Sequence, residues 1–140
     1  MSVLLYESGA SLAYGVLGIV LMVLGYLIVD VLTPGKLHEL VWVQRNRNAA
    51  LLVASNLLGV AVVVATAIYI STGALAIGLA SAAAYGIVGL VLMALSFVLI
   101  DMLTPGKLGE VLTSSESHPA VWVNASAHLA IALMVAAAIS

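Results

Sequence analysis

The chain has 140 residues, 64% of them hydrophobic and 7% charged, with a formal net charge of -2 and no cysteine. Soluble domains are roughly half apolar and a quarter charged, so a water-soluble globular fold is excluded, and the charge balance gives no ground for a nucleic-acid partner. The lack of cysteine removes disulfides, thiolate metal sites and a cysteine nucleophile.

The first apolar stretch, Ser8 to Val29, holds 22 residues without a charge. At 1.5 Å per residue it reaches about 33 Å, enough for a hydrocarbon core of about 30 Å. It lacks a basic segment ahead of it and is longer than the core of a cleaved leader, so it is expected to remain as a mature helix. Glycines and a methionine recur along it at Gly15, Gly18, Met22 and Gly25, in steps of three, four and three. Helices in lipid associate by close van der Waals contact, which small residues permit, so this stripe is read as a packing seam.

The helix is followed by Asp30-Val31-Leu32-Thr33-Pro34-Gly35-Lys36-Leu37, then Glu39. Asp30 opposes the dipole at the end of its helix and needs compensation from Lys36, from backbone amides of the next turn, or from a proton. Proline cannot continue the first helix, and threonine followed by proline is a good helix start. Thr33 is therefore expected to cap a short interfacial helix over Leu37 to Val41, with Trp42 at the membrane surface.

From Asn48 to Ile100 run 53 uncharged residues, enough for two spans, with a turn at Ser71-Thr72-Gly73. The first of the two carries Asn48 and Asn56, and interhelical hydrogen bonding is the expected role of Asn56. The second repeats the seam as Gly86, Gly89, Met93 and Ser96, and ends in Asp101-Met102-Leu103-Thr104-Pro105-Gly106-Lys107-Leu108, followed by Glu110. Offset by 71 residues, the two motifs agree at seven of eight positions, which identifies an internal duplication. The last span, from about Trp122, opens with Asn124, Ser126 and His128. Asn48-Ala49-Ala50 aligns with Asn124-Ala125-Ser126, which sets His128 opposite Leu52; the expected role of His128 is a hydrogen-bonded structural one.

The expected fold is all-α: one polytopic membrane domain over 1-140, with four transmembrane helices near 9-32, 48-70, 79-103 and 122-139. They form two two-helix repeats, 9-70 and 78-140, of parallel orientation, with short interfacial helices in the loops. Lys36, Arg45, Arg47 and Lys107 all lie in the loops after the first and third spans. These loops are expected to be cytoplasmic and both termini outside. Nothing combines a nucleophile, a base and an oxyanion donor, and no metal-ligand spacing or phosphate-binding loop is present. The expectation is a protein that is not an enzyme and carries no metal or cofactor.

The doubled Asp-x-Leu-Thr-Pro-Gly-Lys-Leu motif, each copy between a Tyr-Gly span and an Asn-Ala span, resembles the YjfL-type family of bacterial inner-membrane proteins of unknown function. The resemblance covers nearly the whole chain and implies this fold and a location in the bacterial cytoplasmic membrane. It also implies an association with PspA-like envelope-stress and spermidine-synthase-like genes, hence a cytoplasmic envelope-stress partner; it supplies no catalytic residue. The leading expectation is a component that acts in the bilayer by assembly, as a homo-oligomer or a subunit of a membrane complex. The rival is an oligomeric ion or small-solute channel with Asp30 and Asp101 ringing its cytoplasmic mouth.

Overall fold

A computed structural model describes residues 1-33, 35-103, 110, 111, 114 and 116-140. Among them the chain is helical, without a strand, and four helices are long and apolar enough to cross a membrane: α1 (Ser2–Leu32), α2 (Arg47–Ile70), α3 (Leu75–Leu103) and α4 (Pro119–Ile139). Charge limits where hydrocarbon can begin but not where a helix can begin, so α1 starts at Ser2 and carries Glu7 within it. The start of α4 at Pro119 has a local cause. His118 stands outside the helix and its Nδ1 accepts the Ala120 N–H at 3.2 Å, while Pro119 enters with its φ already helical. Asn46 caps α2 likewise, its Oδ1 accepting from the amides of Asn48 and Ala49 at 2.9 and 3.2 Å.

The corner after α1 differs from its expected form. Thr33 does not start a helix; it ends one, its amide and Oγ1 both donating to the Val29 carbonyl at 2.9 and 2.8 Å. Its extended ψ of 126° is the conformation that a following proline imposes. Gly35 then turns the chain with a φ of 94°. In place of a regular helix over Leu37 to Val41, helical Leu37 and His38 run into a π-helical turn, Glu39–Val43. The wider turn points Leu37 and Leu40 into the core and leaves Trp42 exposed. Pro34, Thr104, Pro105, Gly106 and Lys107 lie outside the described residues.

α2 is the centre of the bundle and packs on all three other helices, whereas α1 packs on α2 and α3, and α4 on α2 and α3. Its buried face, Leu52, Ser55, Asn56, Gly59, Val60, Val63 and Ala67, follows the three-and-four spacing of a single helical stripe. In lipid the apolar surround already solvates leucine and valine, so contact density, not escape from water, holds these helices together. Outward faces are accordingly apolar: Leu58, Ile77, Leu99 and Leu133 are each more than half exposed, a surface untenable in water.

The seam glycines divide between two situations. A Cβ on Gly25 would meet Val60 of α2 and Leu90 of α3 at 2.8 to 3.1 Å, one on Gly86 would meet Leu21 of α1 at 2.6 Å, and one on Gly89 would overlap Val63 of α2. Met93 is buried beside Gly59, and Gly89 also faces Val135 of α4, so this half of the stripe is packed among all four helices. Gly15 has nothing within 4 Å, Gly18 has only ordinary contacts with Val64 and Ile68, Met22 is 38% exposed and Ser96 is half-buried. Gly15, Gly18 and Met22 instead line an open apolar groove of about 270 Å³ between α1 and α2. The stripe is thus continuous in sequence but not in contact, because α1 diverges from its neighbours toward its N-terminus. At that end the Tyr14 hydroxyl lies 3.3 Å from Ser71 Oγ and against Gly78, so the exposed first turns of α1 run past the α2–α3 turn.

Candidate functional site

Five of the six carboxylates, with Lys36, Arg45 and Arg47, belong to one end of the bundle, where α1 and α3 finish and α2 and α4 begin. The geometry of this end rests on backbone chemistry. Asp30, in the last turn of α1, accepts the Leu37 N–H on Oδ1 at 2.8 Å. Of the three ways of compensating that carboxylate, the amide is the one used; the described residues show no ion pair between Asp30 and Lys36, which is exposed like Glu39. The bond holds Leu37 where it is fully buried, in a cluster with Val29, Leu40, Ala49, Leu52 and Phe97.

Asn48 ties the two halves of the chain together. Its Nδ2 donates to the carbonyls of Glu116 at 2.9 Å and Val111 at 3.2 Å, and its Oδ1 accepts the His118 N–H at 3.3 Å. Ser114 joins the same contact through its hydroxyl, 3.4 Å from Nδ2. An amide carries both donors and acceptor on one rigid plane, so a single side chain fixes the approach to α4. Glu110 is exposed at the edge of this region.

A second polar group lies deeper, between α3 and α4. His128, 4% exposed, stacks on Phe97 with ring centroids 5.0 Å apart and planes 9° from parallel. Among the described residues neither of its ring nitrogens has a hydrogen-bond partner, and the same holds for Nδ2 of buried Asn124 and for a buried Oδ1 of Asp101. The expected hydrogen-bonded histidine is therefore a stacked one, because its neighbour across the interface is a phenyl ring with no lone pair to offer. Asn56 is also buried, but it lines a small cavity with Gly25, Val60, Leu90 and Met93 and makes no interhelical hydrogen bond among the described residues. The apolar walls of that cavity explain why.

The sequence singled out Asp30, Asn48, Asn124 and His128, and the fold gathers them at one end; it did not single out Asn46, His118 or Phe97. The caps carried a signal, a polar residue directly before an apolar run and, at α4, a proline after it. Phe97 carried none, since a ring on an apolar helix has no distinguishing pattern. Among the described residues no group of three His, Cys, Asp or Glu side chains is placed to hold a metal ion. The arrangement offers hydrogen-bonding groups and no paired nucleophile and base.

Comparison with known proteins agrees with a membrane-spanning chain. The profile of the family described as Domain of Unknown Function (DUF350) matches residues 3–139. A UPF0719 transmembrane protein of Mycobacterium bovis is 38% identical over 131 residues, covering 94% of this chain and 86% of that protein. One from Mycobacterium tuberculosis matches to the same extent, and one from Mycolicibacterium paratuberculosis is 34% identical, with 87% of its length covered. No solved structure matches.

Proposed function

This chain belongs to the DUF350 family of transmembrane proteins of unknown function, and from that premise we propose that it is a non-enzymatic component of the bacterial cytoplasmic membrane that works by assembly. One observation carries the reading: among the described residues, the side chains that bind the backbone of a following segment across a loop, Asp30 with Leu37 and Asn48 with the segment before α4, lie at one end of the bundle. Elsewhere the outward surface is apolar, suited to lipid. Basic residues favour the cytoplasmic side, so this end faces the cytoplasm and both termini face outward. There the exposed Lys36, His38, Glu39 and Trp42 offer charge beside a membrane-level aromatic, a surface for a cytoplasmic protein partner. The YjfL-type resemblance points to the envelope-stress class for that partner, and the duplication to a symmetric oligomer.

The test is chemical cross-linking in intact membranes followed by purification of the full chain, beside a variant with Lys36, His38 and Glu39 changed to alanine. The reading expects a discrete copurifying protein that the variant loses. An identical set of copurifying proteins from both would refute it. The channel reading is less favoured, because the Asp30 Oδ1 that would line a mouth is committed to the Leu37 amide, and Val60, Val63, Leu90 and Met93 fill the centre of the bundle. Ion flux in proteoliposomes, abolished by Asp30→Asn together with Asp101→Asn, would reinstate it.

A further inference from the structure

The two halves of the chain share a motif but treat their polar groups in opposite ways. In the first half, Asp30 is bonded to the Leu37 amide, Asn48 is bonded on both its nitrogen and its oxygen, and the position opposite His128 is Leu52, fully buried among apolar neighbours. In the second half, the counterparts Asp101 and Asn124, with His128, keep buried polar atoms that no group among the described residues meets. Buried polar groups are nearly always partnered, by protein or by water, so several orphans together in one interface call for a partner that the described residues do not supply.

Their arrangement says which partner. α3 and α4 run antiparallel, and their register is fixed twice, by the Phe97–His128 stack and by Val135, whose Cγ1 lies 3.6 Å from where a Cβ on Gly89 would stand. Asp101 lies one turn beyond Phe97 and Asn124 one turn before His128, so both sit at the same level, one turn nearer the loop end. From that end inward, the interface presents a carboxylate that accepts, an amide nitrogen that donates, and an imidazole that, when neutral, does each once. Deeper in, the series stops: Met93 and Ala132 close on Gly59, and Gly89 on Val63 and Val135. An occupant of these groups must therefore both donate and accept, be small, and reach them from the loop side, since the packing deeper in is closed.

We propose that Asp101, Asn124 and His128 bind a short file of water molecules, forming a hydrated inlet that enters the span between α3 and α4 and ends below Met93 and Ala132. The inlet belongs to the second repeat alone, which makes the two aspartates unequal: Asp30 closes a corner, and Asp101 stands at the entrance of a solvated site. Any exchange of protons or small polar solutes with the membrane interior then depends on Asp101 and His128 and not on Asp30. The proposal stands apart from the assembly reading, and either can fail without the other.

The test is solid-state NMR on the full chain, labelled with carbon-13 and nitrogen-15, in liposomes of phosphatidylethanolamine and phosphatidylglycerol, reading magnetisation transferred from water. The expected result is transfer to the His128 ring and Asn124 side chain as rapid as to exposed His38, with Ala132 and Val63 remaining slow. Asp101→Leu is expected to lose the transfer at His128, and Asp30→Asn to leave it intact. If His128 and Asn124 are as slow as Ala132 in the unmodified chain, the groups are dry or bond one another directly, and the proposal is overturned. Undiminished transfer in a folded Asp101→Leu variant would overturn it as well. The unmodified chain answers the question by itself should that variant not fold.

Discussion

Two alanine substitutions on one stripe of α1 give a sharp test of the packing. At Gly25 the added Cβ would lie 2.8 and 3.0 Å from the two methyls of Val60 and 3.1 Å from Leu90 Cδ2, whereas at Gly15 nothing lies within 4 Å. Carbon atoms in good contact are about 3.5 to 4.0 Å apart, so Gly25→Ala falls short by roughly 0.5 to 1 Å on three sides. Val60 cannot swing aside, because a β-branched side chain in a helix holds one preferred χ1 and both its methyls face the glycine. α1 must therefore move off α2, at an overpacking cost of about 1 to 3 kcal/mol. Both substitutions gain about 1 kcal/mol of helix propensity, which cancels in their comparison. Gly25→Ala should thus be less stable than Gly15→Ala by about 1 to 3 kcal/mol, measured by reversible unfolding in mixed micelles with helical circular dichroism as the signal. Equal stabilities within about 0.5 kcal/mol would refute the argument that the inner half of the stripe is packed and the outer half open.

Three further outcomes follow from the loop end. Asp30→Ala leaves the amide of fully buried Leu37 without its acceptor and should cost about 1.5 to 3 kcal/mol in the same assay, while Asp30→Asn, which keeps an oxygen there, should cost clearly less. Asn48→Ala removes bonds to Glu116, Val111 and His118 and should cost about 2 to 3 kcal/mol, with a change in the fluorescence of Trp122, just inside the same end of α4. Because the chain has no cysteine, single replacements report sidedness directly. In intact cells a membrane-impermeant maleimide should label Thr72→Cys and spare His38→Cys, and in inverted vesicles the pattern should reverse; the same side for both would contradict the four-span topology.

The four helices were legible because hydrocarbon thickness and charge act on the sequence one residue at a time. A run of 22 uncharged residues can do little else in a cell but span a bilayer. The C-terminal end of α1 was equally plain, since Thr33-Pro34 stops a helix, even though Thr33 proved to close one helix and not to open the next. Starts were harder: α1 begins at Ser2 and not near residue 9, because a helix outlasts the hydrocarbon that justified it.

What the sequence determined by itself was membrane residence, the number of spans and the grouping of charge at one end, all consequences of transfer energies that are local and additive. Which glycines are packed, and which polar groups have partners, was decided only by tertiary structure. Gly15 and Gly25 look alike on α1, and Asn48 and Asn124 open aligned spans, yet Gly25 and Asn48 are engaged, while Gly15 and the Asn124 Nδ2 meet no partner among the described residues. The physical reason is that a contact or a hydrogen bond belongs to two groups, and the second is set by how the helices diverge and register against one another. A repeated sequence places the first group twice; the fold supplies the second only where the neighbouring helix comes close enough.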